Sequence, residues 1–323
     1  MLFRSVLILF VSLLCLPSTR AESLDFGQIN SPILFEGTPK FAYRDPAVVY
    51  HDDRFHLYFT LSVNDADGGY HNMTAYSNSP DLVHWTFPRT LTPRDRNLNY
   101  SSPGNIIRFQ DQWVICLQTY PTPNLEQWGN ETSRIWIMRS NNLKTWSKPD
   151  LLRVKGPGVP RSEMGRMIDP YLIEDAQVPG KWWCFYKQNG VSISYSYDLQ
   201  EWTYVGRRDA GENVTVIRDG DDYVMFHSPS NGIGIKRSKQ LHEWGEDEQH
   251  LTLGQENWPW AQGRLTAATV VDLRDDPDVG KCIMFFHGST ERGLERQGAH
   301  GEASLGLAWS EDLVNWHWPG KSY

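Results

Sequence analysis

A seven-residue phrase recurs five times along this chain: Ser, two variable residues, Leu, two variable residues, Trp. It occurs at Ser79–Trp85 (SPDLVHW), Ser140–Trp146 (SNNLKTW), Ser196–Trp202 (SYDLQEW), Ser238–Trp244 (SKQLHEW) and Ser310–Trp316 (SEDLVNW). A recurring phrase of this kind marks a structural unit that cannot bury its apolar face alone and must stack on copies of itself. Each phrase is preceded by the same succession of an apolar strand, a polar turn, an aromatic-rich strand and a third strand that runs into the Ser. In the first unit these are PAVVY, HDD, RFHLYFT and MTAYS, and in the fourth VTVIR, DGD, DYVMFHS and IGIKRS. Short β-rich runs separated by turn residues are antiparallel meanders.

Three visible strands, with a fourth carrying or following the Trp, make a four-stranded blade. Five such blades make an all-β, five-bladed β-propeller. A sandwich leaves a fivefold phrase unexplained. The phrase itself reads as the turn into each outer strand, with its Leu and Trp packed between neighbouring blades, so these five Trp are structural. The chain is read as residues 22–323 forming a single propeller domain behind an N-terminal leader.

That leader occupies residues 1–21. Arg4 gives a positive start, Val6 to Leu16 an apolar run too short to span a bilayer comfortably, and Thr19-Arg20-Ala21 small residues for cleavage. The expectation is a secreted or periplasmic protein, with no membrane association after cleavage. Beyond the leader, Cys116, Cys184 and Cys282 lie in apolar strand-like runs and read as buried free thiols. N-x-S/T sequons occur at Asn72, Asn99, Asn130 and Asn213. The formal net charge of −8 argues against a nucleic-acid partner, which needs a clustered basic face.

In a propeller the innermost strand of each blade lines the central channel. The residues that open those strands are Asp45 (YRDPAVV), Ser102 to Asn105 (SSPGNII), Asp169 (MIDPYLI), Glu212 (GENVTVI) and Arg264 to Thr266 (GRLTAAT). Three of the five units carry a carboxylate there. An Asp-Pro by itself is an ordinary strand-opening turn. Three carboxylates converging on one channel are different, because like charges held together resist ionising. Two carboxyls flanking a sugar–sugar bond are the minimal equipment for glycoside hydrolysis.

The segments RDPAVVYHDDRFHLYFT, MIDPYLIEDAQVPGKWWCFYK and GENVTVIRDGDDYVMFHS, with the repeated phrases, resemble glycoside hydrolase family 43 and its five-bladed relatives from about Phe41 to the C-terminus. The resemblance implies an inverting glycosidase in which Asp45 activates water, Glu212 protonates the leaving oxygen and Asp169 tunes that acid. It departs from the family pattern where Asn213 and Val214 follow the Glu without a nearby Pro, and where Ser102-Pro103-Gly104 replaces Trp-Ala-Pro. A retaining fructosidase of the invertase group also uses an Arg-Asp-Pro, but after an Asn-Asp-Pro-Asn segment that is absent here.

For substrate contact the sequence offers Trp258 and Trp260, outside the repeated phrase in ENWPWAQGRL, together with Arg264, Arg44 and His287. Glu163 is a fallback acid. The expected partner is a carbohydrate. No cofactor is required, and the channel leaves room for a structural cation. Three alternatives remain, and the retaining fructosidase is one of them. A silent sugar-binding propeller would not need all three carboxylates. A phosphorylase would need Arg, Lys and His gathered for phosphate, and no such cluster stands out in the sequence.

Overall fold

In the computed structural model, which describes residues 24–292 and 302–321, the chain is a ring of five antiparallel sheets. The expected leader, residues 1–21, lies outside the described residues. Blade 1 runs from the channel outward as Phe41–His51, Arg54–Asn64, Tyr70–Ser79 and Arg89–Thr90. Blade 2 has a divided inner strand, Tyr100–Ser101 and Ile106–Phe109, followed by Gln112–Thr119, Ile135–Ser140 and Asp150–Leu151. Blade 3 comprises Ile168–Glu174, Trp182–Lys187, Val191–Ser196 and Trp202–Arg208. Blade 4 comprises Glu212–Asp219, Asp222–Ser228, Ile233–Ser238 and Gln249–Leu251.

Blade 5 is assembled from both ends of the chain. Arg264–Leu273, Lys281–Ser289 and Ser304–Ser310 come in order, and the outer edge of Ser304–Ser310 pairs with Ile33–Phe35 from the N-terminal side and with Trp316–His317. The ring is therefore closed by the first strand among the described residues.

The apolar core divides into five clusters, one per blade–blade interface. Tyr58, Ile115 and Leu143 lie between blades 1 and 2, for example, and Phe226, Phe286 and Leu313 between blades 4 and 5. Every phrase Leu and every phrase Trp belongs to the cluster its blade shares with the preceding one. This is why the phrase repeats. Leu82, Leu143, Leu199 and Leu313 take positive φ of 59–65°, a conformation costing a branched side chain roughly 1–2 kcal/mol. Their burial to about 1–2% exposure outweighs that cost.

The turn is held by the third phrase residue. Oδ1 of Asp81, Asn142, Asp198 or Asp312 accepts the N–H groups two and three residues ahead. Blade 4 has Gln240 there, which is too long for this role, and its Leu241 is the one phrase Leu without positive φ. Cys116, Cys184 and Cys282 are buried free thiols, as their strand context implies.

Candidate active site

Each inner strand carries one non-glycine residue in the left-handed region: Asp45 (φ 48°), Ser102 (43°), Asp169 (52°), Asn213 (51°) and Ala267 (56°). In blades 1, 3, 4 and 5 the pairing register slips at this residue, and in blade 2 it falls where the inner strand divides. It is a β-bulge repeated five times, and a bulge re-aims its side chain, here toward the funnel. The ring corrects the sequence reading by one residue. Asp45 and Asp169 are equivalent, but the blade 4 bulge is Asn213. Glu212 sits one place earlier, level with Arg44, Ser101, Ile168 and Thr266. Arg264 lies three residues before its bulge, Ala267.

The three carboxylates converge nonetheless. Asp45, Asp169 and Glu212 line one open cavity of about 770 Å³ together with Arg44, Arg166, Lys187 and Arg264. Behind it the five bulges enclose a narrow continuation of the channel, of about 20 Å³. A hydrogen-bonded chain fixes the first two carboxylates. Thr60 Oγ1 donates to Asp45 Oδ2 (2.9 Å) and accepts the Ser102 N–H (2.7 Å), and Ser102 Oγ donates to Asp169 Oδ1 (2.8 Å). Glu212 is gripped by cations instead: Lys187 Nζ meets its Oε2, and an Arg264 terminal nitrogen its Oε1 at 2.8 Å.

A second regularity supports the bulges. In four blades, the second-strand residue paired with the residue just before the bulge accepts the bulge N–H of the next blade. His287 Nδ1 accepts from Asp45 (3.1 Å), Thr60 Oγ1 from Ser102, Gln118 Oε1 from Asp169 (2.6 Å) and Ser228 Oγ from Ala267 (2.8 Å). In blade 3 that position is Lys187, paired with Ile168.

Burial, then the charges of Glu212 and Asp45, push the Asp169 carboxyl up to about 7. Glu212 goes the other way. Burial works against its charge, but Lys187 and Arg264 bring it down to about 2. In the free cavity burial and the neighbouring carboxylates thus favour a proton on Asp169, while Lys187 and Arg264 favour charge on Glu212, the reverse of the division of labour the resemblance implies. Burial, then Arg44 and Arg264, hold His287 well below the usual histidine range, so the ring is neutral and its Nδ1 accepts from Asp45.

Arg44 and Arg264 thus reach the cavity as the sequence suggests. His287 supports Asp45 from beneath, buried, and does not line the cavity. Trp258 and Trp260 do not line it either. Their rings stack on each other (5.2 Å) and on Phe286 (5.9 Å each), inside the interface of blades 4 and 5. Glu163 is exposed in a short 3-10 turn and lies outside the cavity wall. Sequence reasoning missed Lys187, Arg166, Tyr120 and Trp128, all of which line the cavity. Trp128 had the same signal that singled out Trp258, an unpatterned Trp in a loop, and it is half exposed. Of the sequons, Asn72 and Asn99 are buried and Asn213 lines the cavity, so none of the three presents a side chain to an outer surface. Among the described residues, no group of three or more His, Cys, Asp or Glu is arranged to hold a metal ion.

Residues 38–266 match the profile of the family described as glycosyl hydrolases family 32 N-terminal domain. The chain belongs to this family. It is a five-bladed propeller glycosidase, divergent in sequence and resembling family 43. The match is to the group kept as an alternative despite the missing Asn-Asp-Pro-Asn segment, and Asp45-Pro46 stands in blade 1 as the chain's own Asp-Pro. No curated protein sequence matches the chain.

Solved structures repeat the fold. The catalytic domain of a Coprinopsis cinerea family 62 α-L-arabinofuranosidase is 16% identical, with a TM-score of 0.58, covering 88% of this chain and 92% of that one. A family 43 β-xylosidase/α-arabinofuranosidase from a compost microbial metagenome, in complex with xylotriose, is 11% identical at TM-score 0.57, covering 87% and 93%. A Bombyx mori family 32 β-fructofuranosidase in complex with sucrose is 15% identical at TM-score 0.59, covering 90% of this chain and 64% of that one.

Proposed function

We propose that this glycosidase, in an exported protein, cleaves a poly- or oligosaccharide by single displacement with inversion, as in family 43, rather than by the retaining route of the invertase group whose profile it matches, because its blade 1 segment reads Tyr43-Arg44-Asp45-Pro46 in place of that group's Asn-Asp-Pro-Asn. The observation that carries the reading is one cavity holding three carboxyls in different electrostatic settings. Asp45, anchored by Thr60 and by the Asp45 N–H to His287, is the base that takes a proton from water. That water's oxygen bonds the anomeric carbon as the glycosidic C–O bond breaks, and the leaving oxygen takes a proton from an acid. Glu212 is that acid once the leaving sugar displaces Lys187 from its carboxylate and the carboxylate takes up a proton from solvent. A specific observation favours a second reading: Asp169 is the carboxyl that holds the proton in the free cavity.

The two readings separate in kcat/KM measured on an activated aryl glycoside and on a matched oligosaccharide. Loss of the acid hurts a basic leaving group far more than an activated one. The first reading expects that contrast in Glu212→Gln, and equal losses on both substrates defeat it. The same contrast appearing in Asp169→Asn instead assigns the acid to Asp169. Product NMR tests inversion: retained anomeric configuration moves the chain to double displacement.

A further inference from the structure

The cavity gathers four cationic side chains, Arg44, Arg166, Lys187 and Arg264, around three carboxyls, in a chain whose formal net charge is −8. This is the cluster that the sequence did not display. One of the three carboxyls keeps its proton up to about neutral pH, so cations outnumber anions in the free cavity. Charges of one sign gathered in a cleft attract a ligand of the other sign.

Two of the four stand out. Lys187 occupies the position that in the other four blades accepts a bulge N–H. An ammonium group has three donors and no acceptor, so Lys187 cannot serve that structural role. The support pattern is abandoned at this one place, and the side chain turned into the cavity is a long, flexible, part-exposed cation. Arg166 is the second. Its Nε donates to the Gly129 carbonyl (2.8 Å) and its guanidinium lies over the Tyr120 ring (5.3 Å), which fixes the group while leaving its two terminal nitrogens directed to no carboxylate among the described residues. A planar fork held from behind in this way suits an oxyanion. The two cations belong to one wall: Gln188, next to Lys187, donates to the carbonyls of Met164 (2.9 Å) and Arg166 (3.2 Å).

We propose that Lys187 and Arg166 form an oxyanion subsite on the blade 3 wall, beside the three carboxyls. Its ligand is a carboxylate or sulfate borne by the sugar, or free inorganic phosphate. The inference rests on the glycosidase reading and narrows its substrate to charged glycans or to a phosphate-assisted cleavage. In the latter, a phosphate oxygen takes water's place in bonding the anomeric carbon, and the proton still goes to the leaving oxygen.

The test is thermal stabilisation of the whole protein by D-glucuronate, inorganic sulfate, inorganic phosphate, D-glucose and sodium chloride at matched ionic strength. A ligand that binds only the folded state raises Tm by an amount that grows with the logarithm of one plus the ratio of free ligand concentration to Kd. The subsite predicts a rise with the oxyanions and none with glucose or chloride. It also predicts apparent affinity weakened about 10-fold or more in Arg166→Gln and in Lys187→Gln, the scale of a lost charged hydrogen bond. A response to glucuronate or sulfate but not phosphate assigns a sugar-borne anion, and phosphate alone assigns the free anion. No oxyanion response beyond that of chloride, or one unchanged in both variants, overturns the proposal. Should Lys187→Gln fail to fold, Arg166→Gln on its loop decides. Cleavage of neutral glycosides without oxyanion binding defeats this inference alone, whereas oxyanion binding without cleavage of any glycoside defeats the glycosidase reading and leaves the subsite standing.

Discussion

Asp169→Asn should make the protein more stable while impairing its chemistry, and only above acid pH. In the folded state the Asp169 carboxyl stands at about 7 because it is buried beside Glu212 and Asp45. In the unfolded chain it returns to about 3.9. Below about pH 4 both states hold the proton and the group costs nothing. As pH rises from there toward 7, the unfolded state ionises and the folded state does not, so stability falls by about 1.4 kcal/mol per unit. Over roughly three units this amounts to about 4 kcal/mol, reached near pH 7 and constant above it. Asparagine keeps the shape, stays neutral, and its carbonyl oxygen can still accept from Ser102 Oγ. In a chain of this size about 1 kcal/mol corresponds to about 2 °C in Tm, so the variant should melt about 8 °C higher at pH 8. At pH 4 it should melt at the wild-type temperature. Differential scanning calorimetry of both proteins at pH 4, 6 and 8 makes the comparison. A Tm difference that is the same at all three pH values, or a variant less stable at pH 8, refutes the argument.

Other outcomes follow from the same geometry. Asp45→Asn should lose at least ~10²–10⁴-fold in kcat/KM on every substrate, whatever the leaving group, and full activity in this variant would remove Asp45 as the base. Leu143→Ala, which empties a site between blades 1 and 2, should cost about 2–5 kcal/mol in chemical denaturation without changing KM. Trp128→Ala should raise KM for an oligosaccharide with little change in Tm, because the ring is half exposed at the cavity mouth. An unchanged KM would leave it outside the substrate path. Cys116, Cys184 and Cys282 should stay silent to a thiol reagent until the protein is denatured, because burial pushes the Cys116 thiol up to about 12 and the other two up as well.

The blades were legible because the features that build them are local. A Leu and a Trp at fixed spacing after a Ser record one interface, and the same interface occurs five times. Asp45 and Asp169 were legible because Pro follows each bulge. The one-residue offset of Glu212 was not. A bulge is a relation between a strand and its partner, and although Asn tolerates positive φ, the sequence alone does not say that Asn213 rather than Glu212 takes the bulge position. Trp258 and Trp260 were misplaced for a related reason: a loop Trp and a core Trp look alike until Phe286, on another strand, is known to lie against them. Arg44 and Arg264 were picked out singly, but Arg166, Lys187 and the cluster that the four form escaped notice, because nothing in their spacing anticipates that the ring will bring them face to face.

The closure of blade 5 sets an order of events during synthesis. Ile33–Phe35 leaves the ribosome about 270 residues before its partner Ser304–Ser310 is made. At about 5–20 residues per second, the interval between the two is about 15–55 s. Throughout it, Phe55, Leu57 and Phe59 of blade 1 have no Phe285 or Leu307 to cover them. The nascent chain therefore carries half of an apolar interface, and an unpaired strand edge beside it, for many times longer than a hairpin takes to form. Such a chain depends on being shielded until its own beginning returns to complete the ring.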